Sequence, residues 1–451
     1  MLSKSKYLRG KRCSKCLWLY THKRNCIQVS DNVNDIVERG MNVGEIARSY
    51  FPNGEYGVLQ GSVPSIKDVE RTKSLMQDGI ETIYEAAFFH NNTLVSVDLL
   101  HREPQGWHIY EVKSSTEVKS HHILDVAIQY YAVSGSGVVV SDASVMYLDN
   151  SYVRRGDLDI QCLFTHQSVL KSVMDMQTTV DSNITNNFPS MLEGDEPLIA
   201  MGSQCNSPYQ CDFISYCQSL VPTPEDDPQP ELSNEPQINN DEIQSFVKSL
   251  KYPICHLDFE TIMPAIPLFD ESRPYQQLAF QYSLHSQHAP ESENIHTEYL
   301  AESKSNVDPR LGLIIQLIAE TMNANTILVY NIAFERSRLR EMIRDFPTYA
   351  EALEHIIDRM VDLMIPFRKK HYTTEWLGKK YSIKLVLPAL CPKFSYSHLE
   401  INNGMDASNR FLSLYFSDDQ QHIADTRVHL LKYCHLDTLA MVKILDVLKM
   451  V

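Results

Sequence analysis

The 451-residue chain lacks a hydrophobic run that could cross a membrane, since a membrane-spanning helix needs about 18 or more consecutive apolar residues. Its basic start, MLSKSKYLRGKRC, also lacks the apolar segment that follows in a secretory signal. Positive charge is scarce as well, and the net charge is -16. These absences predict a cytoplasmic protein without a membrane partner. They also argue against a basic coat that binds nucleic acid passively through Lys and Arg.

Residues 221–245 form the clearest boundary in the chain. They are rich in Pro, Asp, Glu and Asn, a composition that cannot bury a core and that predicts a linker. The regions on either side, 1–220 and 246–451, each have the size of one domain. The first contains a predicted hairpin that turns at Pro104–Gly106, with a helix after it. The second begins with three predicted strands and then alternates helix and strand. The predicted fold class is therefore α/β, or α+β, and the second region indicates a mixed sheet with flanking helices.

Two carboxylates interrupt the apolar strand YPICHLDFET in the second region. Asp258 and Glu260 are two residues apart, so their side chains share one face of a strand. Like charges at this distance repel unless a cation lies between them, which predicts a divalent-metal site. The alternative is a half-exposed edge strand with acidic side chains in solvent.

Two further segments join this pair. Asn331 and Glu335 fall where the strand TILVYN gives way to a helix, although Asn331 is also a common residue at a helix start. Tyr433 and Asp437 are four residues apart in a predicted helix and therefore lie on one of its faces. The set suits two-metal phosphodiester cleavage, because two Mg2+ or Mn2+ ions about 4 Å apart need several carboxylates.

The segments DFE, NIAFE and YCHLD resemble, in order, the three motifs of DnaQ-like exonucleases of the DEDD type, in the subclass with a tyrosine in the third motif. The resemblance implies a ribonuclease H-like fold, cleavage from the 3′ end, a water oriented by Tyr433 and substrate positioned by Asn331. The implied metal ligands are Asp258, Glu260, Glu335 and Asp437. Glu335 departs from the family, which has aspartate there, and this leaves activity at the site open. Asp362 is a further carboxylate without an assigned place.

A second group of charged residues lies on the predicted hairpin of the first region. Glu111 and Lys113 share a face because they are two residues apart, and the hairpin can bring Asp98 beside them. In such a group two carboxylates hold a divalent ion, and the lysine orients or activates the attacking water. The alternative is an exposed Glu–Lys pair on an edge strand, where lysine prevents edge pairing.

This group resembles the core of PD-(D/E)XK nucleases in their RecB-like branch. There, the next helix carries a glutamine and a tyrosine, and AIQYYAV supplies Gln129 and Tyr131 at a closer spacing than usual. The resemblance implies that the two carboxylates bind metal, that the lysine is catalytic, and that Gln129 and Tyr131 position substrate. Weaker candidates for a further acidic ligand are Glu45 and Glu85.

Three of the ten cysteines fall within the segment CNSPYQCDFISYC. Cys205, Cys211 and Cys217 provide one ligand fewer than a tetrahedral zinc site or a [4Fe-4S] cluster needs. Cys13 can supply the fourth, with Cys16 as the competing choice. The arrangement resembles RecB-like nucleases of the AddB type, which carry a [4Fe-4S] cluster on one cysteine before the core and three after it. The resemblance implies a structural [4Fe-4S] cluster, with zinc as the main rival and unrelated buried thiols as the remaining alternative.

The whole chain resembles bacterial proteins of the domain-of-unknown-function 2779 type, in which an iron–sulfur RecB-like nuclease domain precedes a DEDD-like domain. The segments that carry this resemblance are HLDFET, PYQQLAFQYSLH and YSIKLVLPAL. Together the resemblances imply a metal-dependent nuclease with Mg2+ or Mn2+ at its sites. They imply DNA or RNA as substrate, with DNA favoured of the two, a setting in repair or defence, and partner proteins that stay unidentified. The alternative is a catalytically impaired nucleic-acid-binding or scaffold protein stabilised by the iron–sulfur or zinc site, and a weaker third option is a redox sensor.

Overall fold

Two structural units, Met1–Glu225 and Asp226–Val451, make up the chain. The computed structural model describes residues 1–27, 43–59, 62–221, 236–303, 307–374, 377 and 380–451. Both units combine helices with a mixed sheet, which confirms the predicted class of fold. Residues 222–235 of the predicted linker lie outside the described residues, and the helix Asn240–Ser249 begins before the predicted linker ends. None of the described helices is long and apolar enough to span a membrane.

The N-terminal unit is built on a seven-stranded sheet. Its strands are β1 (Leu2–Ser3), β2 (Glu55–Tyr56), β3 (Thr82–His90), β4 (Thr93–Glu103), β5 (Gly106–Lys113), β6 (Val140–Leu148) and β7 (Phe164–Ser168). Their order is β2-β3-β4-β5-β6-β7, with β1 parallel to β4. The helices are α1 (Lys4–Arg12), α2 (Ser14–His22), α3 (Ile66–Gln77), α4 (Ser120–Gly135), α5 (Ile160–Leu163), α6 (Leu170–Ser182), α7 (Phe188–Glu193) and α8 (Ile214–Ser219). Residues 43–48 are also helical.

The centre of this unit is the hairpin β4–β5 followed by α4. The predicted turn is confirmed, since β4 ends at Glu103 and β5 begins at Gly106. β5 then pairs in parallel with β6, and α4 forms the connection between them. Apolar residues of α4, including Val126 and Ile128, pack into the core against the sheet. This packing fixes the position of α4 relative to β5, so that polar residues of the helix can contact the strand.

The C-terminal unit contains a five-stranded sheet in the order β11-β10-β9-β12-β13 and a two-stranded sheet of β8 and β14. The strands are β8 (Gln237–Ile238), β9 (Ile254–Ile262), β10 (Leu278–Gln287), β11 (Asn294–Leu300), β12 (Thr326–Val329), β13 (Met360–Asp362) and β14 (Tyr372–Thr373). The helices are α9 (Asn240–Ser249), α10 (Arg310–Thr321), α11 (Ile332–Asp345), α12 (Ala350–Asp358), α13 (Ile365–Arg368), α14 (Ile383–Leu390), α15 (Gly404–Ser413) and α16 (Gln420–Met450). β9 is antiparallel to β10 and parallel to β12, so the larger sheet is mixed.

The two faces of the five-stranded sheet differ in polarity, because side chains alternate along each strand. Leu257, Phe259 and Leu284 belong to an apolar core that α10, α11 and α12 complete. The opposite face packs against α16. That face carries a polar layer on three strands. Its residues are His256, Asp258 and Glu260 on β9, Gln281, Ser283 and His285 on β10, and His296 and Glu298 on β11.

Candidate active sites

The first candidate site lies where β9 meets α16. Asp258 and Glu260 point from β9 towards the helix, as the two-residue period predicts, and away from the core that contains Leu257. Ligand atoms of Asp258, Glu260 and Cys434 all lie within 4.8 Å of one another. A strand and a helix thus bring together residues that are far apart in sequence.

Asp437 joins this group from α16. It is 6% exposed, and the hydroxyl of Tyr396 donates a hydrogen bond of 2.7 Å to its Oδ1. Tyr433, one helical turn earlier, is 3% exposed. Tyr433 and Asp437 therefore lie on one face of the helix, as predicted. Asp437 is near Asp258 and Glu260 of β9.

Glu335 enters from the first turn of α11 and is 2% exposed. Its Oε2 is a buried oxygen that has no hydrogen-bond partner among the described residues. Asn331, immediately before this helix, adopts a left-handed backbone with a φ of 76°, which asparagine tolerates better than most residues. The buried Asp362 stabilises this turn by accepting the Asn331 N–H at 3.2 Å. Asp362 therefore has a place beside the second motif.

The electrostatics of the group show an excess of negative charge. Burial, and then the neighbouring Asp437, raise the pKa of both Asp258 and Glu260. Burial raises the pKa of Asp437 to about 6, against hydrogen bonds from Tyr396 and Tyr433. Burial also raises the pKa of Glu335 to about 8, with Asp362 adding to the effect. A divalent cation would relieve this repulsion, and carboxylate oxygens are the ligands that Mg2+ and Mn2+ prefer.

Lys384 is a residue of this site that the sequence did not reveal. It lies on α14 and donates a hydrogen bond of 2.9 Å to the hydroxyl of Tyr433, and a second of 2.7 Å to the carbonyl of Asn402. Its charge opposes the rise in the pKa of Asp258 and Glu260. The segment YSIKLVLPAL contains this lysine, but only the tertiary structure shows that it contacts the tyrosine.

The second candidate site lies in the N-terminal unit around Glu111, which is 1% exposed. Lys113 donates to Glu111 Oε1 at 2.7 Å, and Gln129 from α4 donates to Oε2 at 2.5 Å. Asp98 accepts the backbone N–H of Val112 at 2.7 Å, which ties it to the same strand. The structure therefore brings together Asp98, Glu111, Lys113 and Gln129, as the sequence predicts.

Lys4 is the unexpected member of this site. Its Nζ lies 2.9 Å from Oε1 and 3.1 Å from Oε2 of Glu111. Burial disfavours the Glu111 carboxylate, but Lys113 and Lys4 outweigh burial and lower its pKa. Burial, and then Glu111, raise the pKa of Asp98. The basic run from Lys4 to Arg12 is visible in the sequence, yet nothing local connects it with β5.

Asp125 and Glu85 complete the surroundings of the Glu111 site. Lys113 also forms an ion pair with Asp125 of α4. Glu85 lies at an irregularity of β3 opposite Asp98 and has a φ of 51°, a strained backbone for this residue type. Its negative charge contributes to the raised pKa of Asp98. The Glu85 carboxylate is paired with Arg48 and accepts a hydrogen bond from Ser96 at 2.9 Å, whereas Glu45 is exposed.

Tyr131 lies away from the group that Gln129 joins. Its hydroxyl donates to Asp181 at 2.7 Å and accepts from Asn91 at 2.9 Å, and its ring packs in the core. Residues two apart on a helix point to nearly opposite sides, since each residue turns by about 100°. Tyr131 therefore lies on a different side of α4 from Gln129, and its role in positioning substrate stays a prediction.

Five cysteines line one cavity in the N-terminal unit: Cys13, Cys16, Cys205, Cys211 and Cys217. The sulfurs of Cys16 and Cys211 are 3.8 Å apart. Four thiolates at about 2.3 Å from one Zn2+ form a tetrahedron with an edge of about 3.8 Å, so this pair has the spacing of a zinc site. Both choices for the fourth ligand reach the cavity, and Cys16 is the one in contact with Cys211.

A cavity of about 320 Å3 lies beside α1 and the start of α4. Arg9, Lys11 and Arg12 line it together with Asp125, the partner of Lys113. Although the chain is acidic overall, this cavity concentrates cationic side chains next to the Glu111 site. Such side chains can contact phosphates of a nucleic acid.

The family model described as Domain of unknown function (DUF2779) matches residues 255–382. That span contains the first two motifs of the C-terminal site. "Uncharacterized protein MG366 homolog" of Mycoplasma pneumoniae is 29% identical over 221 residues, which are 45% of this chain and 33% of the relative. "Uncharacterized protein UU173" of Ureaplasma parvum is 27% identical over 239 residues, 47% of this chain and 33% of the relative. The chain thus spans about a third of the length of these curated relatives.

Proposed function

We propose that the protein is a metal-dependent nuclease that hydrolyses phosphodiester bonds, preferably of DNA, and that its C-terminal site is a 3′-to-5′ exonuclease site. The observation that supports this most is a group of carboxylates with raised pKa values. Its members come from three distant segments: Asp258, Glu260, Glu335 and Asp437. Carboxyl groups whose pKa values are raised by burial and by each other are typical of sites that bind a cation or act on a substrate.

The residues present fit Mg2+ or Mn2+, since all four acidic ligands offer oxygen and a buried oxygen of Glu335 has no partner in the described part of the chain. In such a site divalent ions activate a water and stabilise the leaving oxygen. Asp258 is partly exposed and so opens the group to substrate. Tyr433 stands between Lys384 and Asp437 and would hold the attacking water. Glu335, although longer than aspartate, keeps a carboxylate close enough to affect the pKa of Asp258.

The test is cleavage of end-labelled single-stranded DNA and RNA by the full chain under anaerobic conditions with Mg2+ or Mn2+. Wild type is compared with Glu260→Gln and with the matched control Glu354→Gln, an exposed carboxylate on α12. We expect a ladder of products shortened from the 3′ end, which Glu260→Gln removes and Glu354→Gln leaves unchanged. A folded wild type that cuts neither substrate with either metal would overturn the proposal.

The proposal includes a second, RecB-like nuclease site at Asp98, Glu111 and Lys113. Their convergence and the neighbouring cationic cavity support it. Lys113→Met, with the exposed Lys171→Met as its control, separates the two sites in the same assay. Cleavage that survives Glu260→Gln and disappears in Lys113→Met would belong to the N-terminal site.

A second candidate function is a catalytically impaired nucleic-acid-binding or scaffold protein. One observation favours it at the N-terminal site: Lys4, Lys113 and Gln129 already engage both oxygens of Glu111. A metal would have to displace at least one of these partners. A binder would retain DNA affinity in the variant that combines Glu260→Gln with Lys113→Met, and its wild type would show no cleavage at any metal concentration.

The cysteine cavity belongs to the proposal as a structural metal site. We propose a [4Fe-4S] cluster from the resemblance to AddB-type nucleases, and the Cys16–Cys211 spacing supports zinc as the rival. The absorption spectrum of anaerobically purified protein, together with metal analysis, separates the two. Visible charge-transfer absorption with iron and sulfide indicates the cluster, and a colourless protein with zinc indicates the tetrahedral site.

A further inference from the structure

Three histidines of the polar layer and α16 form a cluster next to the carboxylate site. His285 and His296 are directly opposite each other on β10 and β11, and His435 lies over them from α16. One ring nitrogen from each of the three lies within 4.8 Å of the others. The rings of His285 and His435 are stacked, with centroids 5.0 Å apart.

His435 is the residue that needs an explanation. Both of its ring nitrogens are buried, and neither has a hydrogen-bond partner among the described residues. Buried polar atoms in native proteins normally have partners, and an exception often marks a missing ion or water. The imidazoles of His285 and His296 pack against His435, with ring centroids 5.0 and 4.3 Å from its own.

The other two histidines are held by their second nitrogens. His285 Nδ1 bonds to Thr438 Oγ1 at 2.8 Å, and His296 Nε2 bonds to Ser283 Oγ at 2.9 Å. Ser283 and Thr438 bond to each other at 2.6 Å, so one short chain of hydroxyls fixes both rings. Histidine ligands of metals typically have their second nitrogen fixed in this way.

We infer that His285, His296 and His435 form a binding site for a transition-metal ion of the Zn2+ class, distinct from the carboxylate site. Imidazole nitrogens suit Zn2+, whereas Mg2+ and Mn2+ prefer carboxylate oxygens, so the two neighbouring sites select different metals. Three histidines leave a fourth position, which a water or a further ligand completes in a tetrahedral zinc site. This inference does not rest on the proposed nuclease activity.

The ion would join three elements of the C-terminal unit. β10, β11 and α16 each supply one ligand, and His435 lies between Tyr433 and Asp437 on α16. Because residues two apart on a helix face nearly opposite sides, the same turn would bind Zn2+ on one side and present Tyr433 and Asp437 on the other. The site would therefore hold the third motif in position.

The test is titration of the chelator-treated full chain with Zn2+ against a chromophoric competitor. His296→Gln replaces a ring that is 25% exposed, which the fold should tolerate, and His288→Ala is the matched control because His288 is exposed just beyond β10. Cys211→Ser accounts for any zinc in the cysteine cavity. We expect one tight Zn2+ that survives Cys211→Ser and His288→Ala. In His296→Gln its affinity should fall by more than about 100-fold, since even an outer-shell change around a histidine ligand typically costs about 10- to 100-fold.

Co2+ provides a second measurement that does not depend on the folding of a histidine variant. In Cys211→Ser protein, Co2+ at the histidine site should give visible ligand-field absorption without a thiolate charge-transfer band. Glu260→Gln should leave this signal unchanged, which separates the histidine site from the carboxylate site. Zinc binding that Cys211→Ser abolishes entirely, or that His296→Gln leaves at wild-type affinity, would overturn the inference, as would the absence of the Co2+ signal.

Discussion

Lys4 donates to both carboxylate oxygens of Glu111, at 2.9 and 3.1 Å, across 107 positions of the chain. This ion pair connects the start of α1 with the centre of the N-terminal sheet. Glu111 is buried while Lys4 is partly exposed, so the lysine closes the outer side of the site. A metal ion at the proposed N-terminal site would have to displace this lysine from Glu111.

Lys4→Met should destabilise the N-terminal unit by about 1.5–3 kcal/mol, the range for a hydrogen bond to a charged group. Lys113 and Gln129 still partner Glu111 in the variant, which keeps the loss moderate. Urea unfolding followed by a signal from the N-terminal unit measures the change, with the exposed Lys11→Met as control. The same variant should bind Mn2+ more tightly at the N-terminal site. Unchanged stability would show that the ion pair is weak in solution.

The carboxylate group of the C-terminal site should make the metal-free protein less stable as pH rises. Folding raises the pKa of Asp437 to about 6 and that of Glu335 to about 8. A raised carboxyl pKa contributes stability that is fully present below the unfolded value, about 4, and is lost as pH rises through the folded value. Buried histidines act in the opposite direction below about pH 6.5, because burial lowers the pKa of both His122 and His256 to about 4. We therefore expect the Tm without metal to fall from about pH 7 to about pH 8, and Mn2+ to restore more of it at the higher pH.

Glu260→Gln tests the origin of that pH dependence, because it removes one charge and keeps the shape of the side chain. At about pH 8 it should stabilise the metal-free protein by about 1 kcal/mol, or roughly 2–4 °C in Tm for a unit of this size. The exposed Glu354→Gln should have no comparable effect. Glu111 does not contribute to the pH dependence in this range. Its pKa is lowered, so its effect on stability changes only at more acidic pH. Identical pH profiles of wild type and Glu260→Gln would contradict the prediction.

Lys384→Met should lower kcat of the proposed exonuclease by about 100-fold with a smaller change in KM, in the range typical of a group that positions a proton-transfer partner. The reason is its hydrogen bond of 2.9 Å to Tyr433. Tyr433→Phe should have a similar effect, and the double variant should lose little more, because residues that act as a unit are not additive. The control is Lys393→Met, an exposed lysine. Additive losses in the double variant would mean that the two residues act separately.

Cys16→Ser and Cys211→Ser should both release metal from the cysteine cavity and lower the Tm of the N-terminal unit. The two sulfurs are 3.8 Å apart and pack with Phe213 in a small core. Metal analysis and a thermal melt with and without chelator measure the effect. Cys162→Ser, at an exposed cysteine, should retain both metal and stability. Full metal content in Cys16→Ser would point to Cys13 as the fourth ligand.

The sequence predicted the parts of the fold that depend on local periodicity. Asp258 and Glu260 share a face because a strand repeats every two residues, and Tyr433 and Asp437 share one because a helix repeats about every four. The limits of β4 and β5 followed from the turn signal between them. Such patterns depend only on residues that are close in sequence, and they can be recognised without the tertiary structure.

The contacts that the sequence did not predict are long-range ones. Lys384 and Tyr433 are 49 positions apart, and nothing in either segment specifies the other. The hydrogen bond between Tyr131 and Asp181 is also long-range, since the two residues are 50 positions apart. The histidine cluster was also missed, because its members lie on three separate elements and follow no short spacing.

The order in which the elements are synthesised has a consequence for the C-terminal site. Asp258 on β9 precedes its neighbour Cys434 on α16 by 176 positions. At about 5–20 residues per second, a ribosome needs roughly 10–35 s to cover that interval. Throughout this time the nascent chain lacks Asp437 and holds an incomplete set of ligands. The proposed C-terminal site therefore stays incomplete on the ribosome until the last helix has folded onto the sheet.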